Sequence, residues 1–314
     1  MRSVAPKLKA ACGMAARSNW RASLDRLDGA YADSTLRAYR ADMQVFEEWC
    51  RSVGLDPLPG SPETIAAFVA LQATVVSTAT LKRRLAAIRK IHLLLRLENP
   101  IADEEVTIAM RRALRAKQAR PHQAMGLTRD LRDRLVASCQ NTLAGKRDRA
   151  LLAVGYDTLC RRSELVGLRA EDIALIDAGA AQILVRRSKT DQYGNGRLAY
   201  ISAHTLSLIQ DWLRGAEIKN GYLFRRVRND SIGEDALHPY SVNRILKDAA
   251  TRSGLPRETV RELSGHSMRV GAAQDMISSG LGILPIMRAG GWRTMNVVAR
   301  YVENTDLSVV MRNR

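Results

Sequence analysis

The stretch AKQARPHQAMG, residues 116–126, divides the chain. Before it, apolar residues recur every three or four positions for most of a hundred residues. Within it that rhythm stops, in a short, polar, basic run holding Pro121 and Gly126. After it, helical and alternating patterns mix. A chain of 314 residues is longer than one ordinary core fills, so the break reads as a linker. The expected organisation is an extension over 1–20, a first domain over 21–117, a linker over 118–127 and a second domain over 128–314.

The first domain reads as all helix. DSTLRAYRADMQVFEEWCRSVG opens on a capping Asp33-Ser34, places Leu36, Tyr39, Met43, Phe46 and Trp49 on one face, and stops at Gly54. SPETIAAFVALQA opens on Ser61, Pro62 and Glu63, a helix-start signature. TATLKRRLAAIRKIHLLLRL carries Leu81, Leu85, Ile88 and Ile91 on one face and Lys82, Arg83, Arg84, Arg89 and Lys90 on another, and ADEEVTIAMRRALRAKQ closes the group. The second domain alternates more. AQILVRR and GRLAYIS have strand character, and the turn residues SKTDQYGN between them predict a hairpin. TRDLRDRLVASC, KRDRALLAVGYDTL, AHTLSLIQDWLRGAE, SVNRILKDAATRSG, HSMRVGAAQDMISSG and TMNVVARYVE return to helix. The fold class is therefore mainly α, with a small antiparallel sheet in the second domain.

Charge narrows the partners. Lys and Arg number 49 against 32 Asp and Glu, a net +17. Residues 1–126 hold 20 basic and 12 acidic side chains, a net +8; residues 127–314 hold 29 and 20, a net +9. Both halves are basic, which suits two domains closing on one polyanion and does not suit a disordered basic arm. Cys12, Cys50, Cys139 and Cys160 form no C-x-x-C pair and stand at no metal spacing, so reduced thiols in a cytoplasmic compartment are expected. No metal motif or glycine-rich phosphate loop is visible, nor an apolar run of the roughly 20 residues that span a membrane.

Five stretches of the second domain share a chemical theme. CRRSELVGLR gives Arg161 and Glu164, RRSKT gives Lys189, SGHSMR gives His266 and Arg269, AGGWRT gives Trp292 after two glycines, and ARYVE gives Tyr301. Each alone has an ordinary reading: a surface ion pair, a turn lysine, a helix-start histidine, two core aromatics. Together they suit phosphoryl transfer. Two arginines can hold the non-bridging oxygens of a phosphodiester with permanently charged forks. An imidazole and an indole N–H add donors to the same oxygens. A tyrosine hydroxyl can attack phosphorus, and a hairpin lysine can protonate the departing oxygen.

The ordered set Arg161, Lys189, His266-x-x-Arg269, Trp292, Tyr301 resembles the tyrosine recombinases, the phage integrase family. GYDTLCRRSEL, GYLFRRVR, SGHSMRVGAAQDM and IMRAGGWRTMNVVARYV carry the resemblance, and STLRAYRADMQVFEEWC and TLKRRLAAIRKIH extend it into the first domain, over roughly 20–314. The resemblance implies a C-shaped DNA clamp built from a helical, SAM-like core-binding domain and a catalytic domain. It implies Tyr301 as nucleophile forming a 3′-phosphotyrosyl link. Arg161 and Arg269 become clamps on the phosphate, Lys189 the general acid, His266 an assisting donor or acceptor, and Glu164 a brace. Trp292 stands where many members have histidine. No cofactor is required. Four protomers would join two short inverted-repeat sites and pass through a Holliday junction. The tail VENTDLSVVMRNR, with Leu307, Val310 and Met311 at helical spacing, would dock on a neighbouring protomer. About twenty residues precede the core-binding helices, so a simple recombinase without an arm-binding domain is expected, bacterial or phage-encoded.

DNA-reading residues are expected on exposed faces: Arg37 and Arg40, Lys82, Arg83 and Arg84, and Ser241, Asn243, Arg244 and Lys247 in PYSVNRILK. A solvated helix face is the ordinary alternative for each. Two further functions share the chemistry or the fold: a topoisomerase or telomere resolvase, and a DNA-binding regulator without catalysis. The compact size and tail favour recombination over the first, and the complete catalytic set argues against the second.

Overall fold

The computed structural model describes residues 20–117, 123–176, 179–186 and 196–302. Lys189, Cys12 and the tail residues Leu307, Val310 and Met311 lie outside them. The chain separates into two compact units, 1–121 and 122–314.

The first unit is a helical bundle of α1 (Trp20–Asp25), α2 (Asp33–Ser52), α3 (Pro62–Val75), α4 (Thr78–Leu94) and α5 (Glu104–Ala116), with a 3₁₀ turn at Pro100–Ala102. Side chains set the helix starts. Ser61 Oγ accepts the Thr64 N–H (3.2 Å), Ser77 Oγ accepts that of Thr80 (3.2 Å), and Asp103 Oδ1 accepts that of Glu105 (2.9 Å), satisfying donors that a helix start leaves free. The faces that carry Leu36, Met43 and Phe46, Ile65 and Phe68, and Leu81, Ile88 and Ile91 are buried. Phe46 and Phe68 meet edge to face at 5.0 Å. His92 is buried in this core, its Nε2 accepting the Gly60 N–H (3.0 Å) and its Nδ1 facing the Ile88 carbonyl (2.9 Å). Burial lowers its pKa, so this histidine is a neutral packing residue.

The second unit is built on α7 (Leu143–Asp157), with α6 (Arg129–Ala137) and α9 (Ala203–Gly215) packed on it. Every residue from Ala150 to Tyr156 is buried, the pattern of a helix covered on all sides. A three-stranded antiparallel sheet follows the short α8 (Arg162–Val166) and a 3₁₀ turn. Its strands are β1 (Ile173–Leu175), β2 (Ala181–Val185) and β3 (Arg197–Ile201). In β2–β3, Ala181 pairs with Ile201 and Val185 with Arg197. A hairpin of β4 (Arg225–Arg228) and β5 (Ser231–Ala236) precedes α10 (Pro239–Arg252), α11 (Arg257–Glu262), α12 (Ser267–Ser278), α13 (Ile283–Gly290) and α14 (Met295–Val302). The main core joins Leu151, Ile183, Ile209, Trp212, Phe224 and Leu246. A satellite cluster holds the last helices through Tyr156, Val270, Ile286, Trp292, Val298 and Tyr301.

Cys50, Cys139 and Cys160 are free and buried. Among the described residues no helix is long and apolar enough to cross a membrane, and no group of His, Cys, Asp or Glu is placed to hold a metal ion.

Candidate active site

The site begins where α7 ends. Leu159 is fully buried yet takes φ +52°, a left-handed conformation unfavourable for a branched side chain. Its carbonyl accepts a short hydrogen bond from Arg269 Nη1. Arg161 then caps α8. Its N–H donates to Glu164 Oε2 (3.0 Å), and its Nη1 donates to Glu164 Oε1 (2.6 Å). The Glu164 side chain is 1% exposed, that of Arg161 25%. The carboxylate is therefore a buried brace, and the guanidinium keeps an open edge.

The second contribution comes from the start of α12. The Ser264 N–H donates to Ser267 Oγ (2.9 Å), and the His266 N–H donates to Ser264 Oγ (3.2 Å). These bonds fix the loop so that His266 is the N-cap and Arg269 lies in the first turn. Two basic side chains at a helix N-terminus oppose the helix dipole, and an anion between them reverses that penalty. Arg269 is 1% exposed, its Cζ lies 4.1 Å from the centre of the Trp292 ring, and its Nε and Nη2 have no hydrogen-bond partner among the described residues. Burial first, and Arg161 second, lower its pKa to about 10, so it remains charged at neutral pH. A buried cation with two idle donors is unfavourable unless an anion comes to meet it.

The third contribution is the C-terminal pair. The two glycines before Trp292 are sterically required. A Cβ at Gly290 would lie 2.2 Å from the indole, and Gly291 turns the chain at φ +63°. Trp292 and Tyr301 rings stand 5.6 Å apart, and Tyr301 lies 5.5 Å from the His266 ring. Tyr301 Oη is 2.7 Å from His266 Nε2. Burial, reinforced by Arg269, Arg161 and Arg162, lowers the His266 pKa to about 4. The imidazole is neutral at pH 7 and can accept the phenol proton through Nε2. The structure thus gathers Arg161, Glu164, His266, Arg269, Trp292 and Tyr301 in one place.

Sequence comparison addresses the same stretches. The profile of the phage integrase family matches residues 126–307, and that of the phage integrase N-terminal SAM-like domain matches 25–99. The chain belongs to the phage integrase family. An integrase/recombinase XerD homologue of Selenomonas ruminantium is 31% identical over 90% of this chain and 85% of its own length. The Cre recombinase of Escherichia phage P1 is 28% identical over 88% and 86%. In fold, the chain is similar to the XerH site-specific recombinase in a post-cleavage complex with difH DNA. That match has TM-score 0.65 at 17% identity, over 88% of this chain and 78% of that one.

This phage integrase family member also holds, at the same site, residues outside the motif set. Arg197, the first residue of β3, donates to the carbonyls of Thr158 (2.8 Å) and Ala289 (2.9 Å). Its signal was present in GRLAYIS: Arg197 is in phase with the buried Ala199 and Ile201, whereas Leu198 and Tyr200 are exposed. Arg162 lines a cleft with Arg161, Tyr240 and His266.

The residues expected to read DNA divide. Arg37, Lys82 and Arg244 are exposed. Arg40 is bonded to Asp25 (2.7 Å) and Arg83 to Asp42 (2.7 and 3.0 Å). Arg84 does not face away from the core: its side chain is 13% exposed and lies between Asp42 and Gln72, because the buried Asp42 draws two cations inward. Ser241 is half-buried at the start of α10. Asn243 Oδ1 accepts the Gly265 N–H (2.6 Å), and Lys247 donates to the Arg261 carbonyl (3.4 Å). The first contact ties α10 to the loop that carries His266, and the second ties it to α11.

Proposed function

We propose that this protein is a site-specific DNA recombinase that breaks and rejoins duplex DNA through Tyr301. The observation that carries the reading is the 2.7 Å contact between Tyr301 Oη and a neutral His266, beside the two idle donors of Arg269. The Tyr301 oxygen attacks phosphorus, and its proton passes to His266 Nε2. The bond from phosphorus to the 5′ oxygen breaks, leaving a 3′-phosphotyrosyl ester and a 5′ hydroxyl. Lys189 supplies the proton that this hydroxyl takes up. Arg161 and Arg269 hold the non-bridging oxygens as negative charge grows on them. Glu164 orients Arg161, and Trp292 supports Arg269 from one face. Attack by the 5′ hydroxyl of a partner strand reverses the chemistry. One phosphodiester replaces another, so no nucleotide or metal cofactor is needed.

Both basic units contact the duplex. Residues 21–117 form its core-binding domain and 128–314 its catalytic domain. Arg37 and Lys82 in the first unit and Arg244 in the second are the most available for phosphate or base contact, with Arg40 and Arg83 beside the former and Ser241, Asn243 and Lys247 beside the latter. Four protomers pair two inverted-repeat sites through a Holliday junction, and residues 305–314 link neighbouring protomers. The enzyme works in the cytoplasm on nucleoid or phage DNA.

The test is covalent capture. Wild-type protein and Tyr301→Phe are incubated with a nicked, partly randomised duplex library, and DNA that stays attached in SDS is sequenced. Attachment by wild type alone supports the reading and yields the recognition site. Binding without attachment by either protein would reduce it to a DNA-binding regulator. Removal of residues 305–314 should leave cleavage of single sites and abolish pairing of two; a truncated protein that still pairs sites would refute the role of the tail.

A further inference from the structure

We propose that Arg197 is a positioning residue for DNA cleavage, acting through Glu164 and the turn before Trp292 rather than on the phosphate. The inference rests on the reading of this site as DNA-cleaving. Arg197 starts β3 in register with Val185, and its side chain is 16% exposed. One guanidinium meets two backbone segments that lie far apart in sequence. Nη2 donates to the carbonyl of Thr158, three residues before Arg161, and lies 3.5 Å from Cys160 Sγ. Nη1 donates to the carbonyl of Ala289, three residues before Trp292. The stem packs on Gly291, where an added Cβ would fall 3.1 Å from Arg197 Cδ. The strand therefore fixes the spacing between the Arg161 loop and the Trp292 turn, and through Trp292 the face on which Arg269 rests.

Its charge has a second use. Arg197 Nη2 stands 3.8 Å from Glu164 Oε2, while Arg161 holds both oxygens of that carboxylate. A lone buried carboxylate would offset much of the Arg161 charge. With Arg197 beside it, and with the charge of Arg269 also felt by Glu164, three guanidinium groups share one carboxylate, a local sum of +2. A phosphodiester carries one negative charge, and its five-coordinate form in transfer carries close to two, so that field favours the transition state over the bound ground state. A purely structural arginine in this unit looks different: Arg147 donates to Asp148 at 2.6 Å. Arg197 bonds carbonyls, and the one carboxylate it approaches is already held by Arg161.

The experiment uses the duplex recovered by covalent capture, in two forms. One has the natural phosphate at the cleaved position, and the other a methylphosphonate, which lacks the negative charge. Arg197→Ala and Arg197→Lys are compared with wild type for duplex binding and for the rate of SDS-stable attachment at saturating DNA. We expect binding within about threefold of wild type in both variants, attachment slowed about 10- to 100-fold by Arg197→Ala, and a smaller loss with Arg197→Lys, which keeps the charge. On methylphosphonate the deficit should shrink to within a few-fold, because the charge that Arg197 helps to meet is gone. Arg197→Ala cleaving at the wild-type rate, or slowed equally on both substrates, overturns the inference. If the alanine variant does not fold, Arg197→Gln, which also removes the charge, decides by the same criteria. A wild-type protein that captures nothing refutes the DNA-cleaving reading itself, a result separate from any difference among Arg197 variants.

Discussion

Arg132 and Arg147 in the α6–α7 layer and Arg269 on α12 are all buried, at 8%, 5% and 1% exposure, but their surroundings differ. Arg132 bonds Asp133 (2.7 Å), approaches Asp157 (3.5 Å) and stacks on Tyr156. Arg147 bonds Asp148 (2.6 Å) and approaches the Arg225 carbonyl. Arg269 has one carbonyl, one indole face and two idle nitrogens. The first two carry their counter-charges with them and hold helices together. The third is complete only when an anion arrives. Burial alone does not single out Arg269; burial with two nitrogens that no carboxylate hydrogen-bonds does.

That contrast is open to attack. Replacing Arg269 with Met should slow covalent attachment to DNA by about 10³-fold, the upper range for removing one transition-state donor. The melting temperature should hold or rise, since an uncompensated buried charge is removed. A marked fall in melting temperature would erase the distinction from Arg147. Arg147→Met should do the reverse. It removes the hydrogen-bonded partner of buried Asp148 and leaves only the weaker pull of Arg252 and Arg244, and burial already raises that carboxyl's pKa against the pull of Arg147. About 3 kcal/mol of stability should be lost in urea titrations. The double change Arg147→Met, Asp148→Leu should recover much of it.

Inorganic phosphate sharpens the comparison next. Near ten times its dissociation constant it should stabilise wild type by about 1.4 kcal/mol and Arg269→Met by much less, as read by thermal melts at constant ionic strength. The His266 pKa, lowered from 6.5 to about 4, sets a pH window. Between these values the unfolded chain binds a proton that the folded chain does not, so stability falls as pH drops from 6.5 toward 4. His266→Asn should flatten that part of the slope, and the imidazole signal of His266 should stay neutral from pH 8 to 5.5. The smallest effect belongs to Arg83→Ala, a half-exposed partner of Asp42 that Arg84 also approaches. It should alter stability by less than about 1 kcal/mol.

Long amphipathic segments announce themselves in this sequence, and short or shared ones do not. The spacing of Leu36, Met43 and Phe46 and the cap at Ser61 give α2 and α3 directly. Strand β1 has three residues and pairs only because β2 is beside it, so no local pattern marks it. Pro285 obscures α13, where it is tolerated in the first turn. The motif residues of the site could be read from their chemistry. For Arg197 only its inward strand phase was legible and its contacts were not, because its partners are backbone carbonyls contributed by segments distant in sequence. Arg84 shows the opposite failure: helical periodicity places it outside, and the buried carboxylate of Asp42 pulls it in.

The helix that carries Tyr301 is lightly anchored. On α14, Met295, Asn296, Val297, Ala299 and Arg300 are exposed, while Val298 and Tyr301 reach the satellite cluster and Gln274 Nε2 donates to the Tyr301 carbonyl. On α12, seven consecutive residues from Ser267 to Ala273 are buried. Amide exchange should therefore open α14 well before α12. The arginine proposed to hold the phosphate is fixed in the frame, and the proposed nucleophile rides on a helix with few anchors. Under the proposed chemistry, docking or releasing these eight residues sets whether Tyr301 meets His266 while the burial of Arg269 on α12 stays as it was.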